Sequence, residues 1–123
     1  MTHYKLLRLM VFGLFLAACI PFATAQRDLS RARGLVAQTH HDLRGIAHHE
    51  TYSGKERERY DNALRHLSEF DRELAKGKYD KDRLDAAIDD INNVCKNNAL
   101  GPNERDALLG DLKSLRDLRA EWR

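Results

Sequence analysis

The sequence predicts an all-α protein, a small antiparallel helical bundle, and three observations carry that expectation. Between positions 53 and 98 apolar residues recur at alternating spacings of three and four, the seam pattern of helices packed nearly antiparallel. They are Tyr60, Ala63, Leu67, Phe70 and Leu74, then Leu84, Ala87, Ile88, Ile91, Val94 and Cys95. Nothing alternates with a strand's period of two over a useful length. Charged residues make up 33% of the chain, and their interspersed signs suit solvated helix faces. The two seams fold back on each other through Gly77-Lys78-Tyr79-Asp80, and flanking helices can cover what they leave open. Two arrangements satisfy this: four helices, or three plus a loosely packed first helix.

Residues 1–25 read as a secretory signal peptide and not as part of the fold. Lys5 and Arg8 give a basic start, and an apolar run from Leu9 to Phe22 follows, broken by Gly13 and Pro21. Ala23-Thr24-Ala25 then supplies small residues where a signal peptidase cuts, so cleavage falls after Ala25. The apolar run is shorter than the roughly 18–20 residues that span a bilayer, and Pro21 interrupts it. A second reading stays open at Leu16-Ala17-Ala18-Cys19, which resembles a bacterial lipoprotein box. Lipidation at Cys19 would anchor the domain, although Ile20-Pro21-Phe22 continues apolar where lipoproteins turn polar.

The remainder, 26–123, suits a single helical domain. The whole chain has 21 Lys and Arg against 19 Asp and Glu. Lys5 and Arg8 leave with the leader, so the net charge of +2 leaves with it. A balanced, exported domain has no basic footprint for nucleic acid, and the mature chain has no transmembrane segment. Only Cys95 survives cleavage, which excludes an internal disulfide. Its place on an apolar stripe favours a small buried hydrophobe; an intermolecular disulfide is the other reading.

The first helix is expected over about 28–49, with Leu29, Ala32, Val36, Leu43 and Ile46 or Ala47 inward. Gly34 and Gly45 make it the weakest, each costing about 1 kcal/mol relative to alanine in mid-helix. Ser53-Gly54-Lys55-Glu56 is a capping box for the second helix, which stops at Gly77, a residue suited to a left-handed end. Asp80 caps the third, whose periodicity fades near Asn97 and Asn98. Gly101 and Pro102 open the fourth, with Glu104 in its first turn. Leu108, Leu112, Leu115 and Trp122 form its stripe, with Leu109 and Leu118 at the margins. The connections are short, which favours neighbours in up-down-up-down order.

Candidate site residues are few. His40, His41, His48, His49 and His66 are the suggestive set, since imidazole suits zinc, copper and nickel. Yet chelation on one helix works best at a spacing of three or four, and no His, Asp, Glu or Cys pair of that spacing includes any of the first four. His66 with Glu69 would have to help from the second helix, so a specific metal site is not expected. Asp82, Asp85 and Asp89 form an acidic row, but no calcium loop is present, and basic residues of the second and fourth helices can pair with it. Ser30, Ser53, Ser68 and Ser114 have no nucleophile elbow. No phosphate loop, CxxC or HExxH occurs, so neither a cofactor nor an enzyme is expected.

In size, export and charge density the chain is similar to the small periplasmic chaperones built of helical hairpins. Their L-T-x-x-Q signature is missing, since Leu100-Gly101-Pro102-Asn103-Glu104 departs from it, and their function is not carried over. The expectation is therefore a secreted or periplasmic helical module that binds or supports a protein or envelope partner through its surface. The alternative is a periplasmic metal-binding protein using the histidines.

Overall fold

The computed structural model describes residues 28–47 and 54–122, and every regular element among them is an α-helix. Helix α1 covers 28–47, α2 Gly54–Ala75, α3 Lys81–Asn97 and α4 Pro102–Glu121. The leader with its cleavage site, Cys19, His48, His49 and the Ser53 cap lie outside the described residues. Among the described residues no helix is long and apolar enough to cross a membrane.

Cross-helix contacts fix the direction of each helix within 32–122. Early α1 meets late α2 where Arg33 Nε donates to Asp71 across 3.1 Å. Late α2 meets early α3 at Arg83 and Glu69, 3.2 Å apart. Early α3 meets late α4 at Arg119 and Asp85, 2.8 Å apart. Asp42 of α1 lies against Asp111 of α4. Each pairing is antiparallel, and α1 is buried along Ala32, Val36, Thr39, Leu43 and Ile46. The four-helix arrangement therefore holds, and α1 is a full member of it.

Both central seams are buried as their spacing requires: Tyr60, Ala63, Leu67, Phe70 and Leu74 on α2, and Leu84, Ala87, Ile88, Ile91, Val94 and Cys95 on α3. Full burial of each large apolar side chain stabilises by about 1.5–3 kcal/mol, so these two stripes dominate the core. The α2–α3 turn is a Schellman motif. Gly77 takes φ +78, its N–H donates to the Leu74 carbonyl, and Lys78 N–H donates to Glu73. Those bonds satisfy carbonyls that the helix end would leave open.

Asp80 caps α3 by accepting from Arg83 N–H. Glu104 reaches back to the Gly101 N–H, half of a capping box, because glycine has no side chain to complete it. Three packing expectations change. Leu118 is buried, whereas Trp122 is half-buried at the α4 C-cap. Its ring stands against Tyr79 with centroids 3.8 Å apart, while Phe70 meets the other side of Tyr79. Leu109 is 45% exposed, because it lies a full step off the Leu108–Leu112–Leu115 stripe. Leu29 and Ala47 are half-buried, leaving Ile46 as the inward residue at that end of α1.

Candidate functional site

Helices α1 and α4 enclose a cleft of about 250 Å³. From α1 it takes His41, Asp42, Gly45 and Ile46, and from α4 Asn103 and Glu104. The helical repeat explains the α1 set. Residues 42 and 46 are one turn apart, as are 41 and 45, so Ile46 can face the core while Asp42 lies above it toward the rim. Gly45 places no side chain in this wall. On the α4 side Pro102 starts the helix and Glu104 is held by its bond to Gly101 N–H.

Behind the cleft lies a feature that the sequence reading missed. Asp111 is only 8% exposed, and its Oδ2 is sealed from solvent with no hydrogen-bond donor. Its carboxyl reaches that of Asp42, and Asp42 in turn accepts from the Gln38 side-chain amide at 3.1 Å. Burial, then the hydrogen bond and charge of Asp42, push the Asp111 carboxyl up to about 7. Two ionised carboxylates have no proton to place between them, so such a pair is stable when it holds one. The signal was present in the sequence: Leu108, Asp111, Leu115 and Leu118 keep a seam spacing, and one of the four is an acid.

The histidines do not converge. His41 is exposed at the cleft, and His40 is half-buried. Burial and then Arg44 lower the His40 pKa, with Asp71 opposing them. His66 is paired through Nδ1 with Asp90 across the α2–α3 interface, not with Glu69, which holds Arg83. Among the described residues there is no group of three or more His, Cys, Asp or Glu placed to hold a metal ion.

The acidic row on α3 is divided. Asp85 takes a bidentate contact from Arg119, while Asp82 and Asp89 are exposed. Cys95 is a buried free thiol, and burial raises its pKa against the pull of Arg105 and Arg116.

The chain matches no family model, no curated protein and no solved structure. Its functional argument therefore rests on the chemistry of its own surface. The α1–α4 cleft places two carboxylates and an imidazole around one concave space, with a third carboxyl behind. That arrangement can accept hydrogen bonds from a cationic group. Nothing in it positions a nucleophile beside a base.

Proposed function

We propose that this chain is an exported, non-catalytic binding module, and that it recognises a basic side chain of a protein or envelope partner in the α1–α4 cleft. The observation that carries the reading is the cleft lined by Asp42, Glu104 and His41. A lysine or arginine entering it would meet two acceptors against the apolar wall of Ile46. Charge-assisted hydrogen bonds of this kind are stronger than neutral ones. The partner's apolar stem could lie along that wall, as amphipathic side chains do.

The test is a titration of the purified protein with short peptides of matched length, one lysine- and arginine-bearing and one glutamate-bearing. Saturable binding of the basic peptide is expected, weakened about tenfold by Glu104→Gln. Glutamine keeps an acceptor for Gly101 N–H, so the helix start survives the change. Equal affinity for the acidic peptide, or an unchanged titration in Glu104→Gln, would remove the cleft as the recognition site.

Export is part of the same proposal. The intact mass of the exported protein should correspond to a chain beginning at Gln26. A species that starts at acylated Cys19, or one that keeps residues 1–25, would overturn the proposed processing.

A further inference from the structure

Helix α1 has the least intrinsic stability of the four. Gly34 and Gly45 both sit exposed in its interior, and a Cβ on either would touch nothing within 4 Å. Neither glycine is therefore required by close packing, and each weakens the helix. What holds α1 is its buried stripe on the neighbouring helices, together with the Asp42–Asp111 contact. Asp111 sits among Leu108, Leu112 and Leu115 on the inward face of α4. A carboxylate there has lost its water and gains no donor for Oδ2. An acid placed opposite another acid across a helix interface is attractive only with a proton between them.

We propose that Asp42 and Asp111 form a proton-sharing latch that fastens α1 to α4 when the pair holds a proton and loosens α1 when both acids are ionised. The latch does not depend on what the cleft binds.

Titratable and charged groups reach this region from three helices. On α1 they are Asp42 and, one residue before it, His41. On α4 they are Asp111 itself and Glu104, which shares the cleft with Asp42. From α3 the Cys95 thiol feels Asp111, Arg105 and Arg116, and Arg105 is engaged by the Cys95 carbonyl. Burial keeps the thiol neutral, and Asp42 is the charge that acts on Asp111.

The sign follows from proton binding. An unfolded aspartate ionises near 3.9, whereas folded Asp111 holds its proton to about 7. Between those values the folded chain binds more protons than the unfolded one, so stability falls as pH rises. The latch is closed at the acid end of that window and open above it.

The experiment measures melting temperature and amide-exchange protection across residues 32–47, from about pH 5.5 to about pH 8. Wild type, Asp111→Asn, Asp42→Asn and His41→Gln are compared. In wild type, protection of α1 should fall at least about tenfold relative to α2 and α3 over that range. An asparagine presents a fixed N–H to the remaining carboxylate and so imitates the protonated acid. Both asparagine variants should therefore flatten the profile and keep α1 protected at the alkaline end. His41→Gln should retain the wild-type fall.

A flat wild-type profile overturns the latch, and so does a fall that persists in either asparagine variant. Loss of the fall in His41→Gln would assign it to the imidazole and also overturn the latch. If Asp111→Asn does not fold, Asp42→Asn decides alone, because a shared proton requires both acids. Peptide binding in the cleft is read separately, so failure of one idea leaves the other standing.

Discussion

The buried Asn98 amide donates to the Glu56 carbonyl across 3.1 Å, joining the end of α3 to the first turn of α2. Its oxygen accepts from Arg59 at 3.0 Å, and its own N–H donates to Val94. One side chain therefore closes the α3 terminus and ties two helices together. Asn98→Ala should destabilise by about 1–3 kcal/mol, since it leaves a carbonyl and a guanidinium short of partners in a partly buried place. Chemical denaturation measures the loss. A midpoint equal to wild type would mean that water replaces the amide without cost.

Gly77 and Gly34 should respond to alanine in opposite directions. At φ +78 an alanine at 77 is strained although its Cβ meets nothing, and the cost is about 1–2 kcal/mol. At Gly34 the backbone is helical and the position exposed, so Gly34→Ala should stabilise by about 0.5–1 kcal/mol. Thermal melts of the two variants test this, and a shift of the same sign in both would contradict it.

Leu67 sits at the middle of the α2 seam with no exposure. Leu67→Ala removes packed methyl groups and leaves a cavity, costing about 2–5 kcal/mol. A domain of this size has only about 5–15 kcal/mol of stability in total. The loss should be plain in the denaturation midpoint, and an unchanged midpoint would contradict the burial.

These positions also mark where the sequence was legible and where it stopped being so. The seams of α2 and α3 could be read directly, because unbroken apolar periodicity names the buried face. In α1 the same spacing runs 32, 36, 39, 43 and 46, but its middle member is Thr39. That residue is buried because its hydroxyl returns to the Leu35 carbonyl at 2.9 Å, a bond within the helix that polarity alone conceals. Asp111 was hidden in the same way, since an acid at a seam position reads as surface until Asp42 is seen opposite. Trp122 looked like core because it is large and apolar, yet it stands at the helix end, where Tyr79 is its partner.

Pairings between distant positions were harder still. The acidic row on α3 suggested basic partners from α2 and α4, and Arg119 supplies one for Asp85. Local spacing could not show that Asp90 would take His66, 24 residues away. Such contacts depend on the rotation of each helix about its axis, and a shift of one residue turns a side chain by about 100°. The cleft between α1 and α4 was beyond reach for the same reason, because its walls come from opposite ends of the domain.

The last prediction concerns metal, because a metal site is the main rival to recognition of a basic partner. His66 has its Nδ1 committed to Asp90, so coordination there would have to use Nε2. His40 lies beside Arg44, whose charge disfavours a cation. His41 is the histidine that shares the cleft with Asp42 and Glu104, yet these residues do not form a metal-holding group. Glu104 is engaged with the Gly101 N–H and Asp42 with Gln38. Titration with zinc, copper or nickel should therefore show weak binding and no rise in melting temperature. A ligand that binds only the folded state at 100 times its dissociation constant would stabilise by about 2.7 kcal/mol, which a melt resolves easily. A one-to-one complex that raises the melting temperature and is lost in His41→Ala/His48→Ala would reverse the assignment. The cleft would then hold an ion in place of a partner's ammonium or guanidinium group. Competition would expose the shared site, since the metal should displace the basic peptide from wild type and have no effect on peptide binding in the double variant.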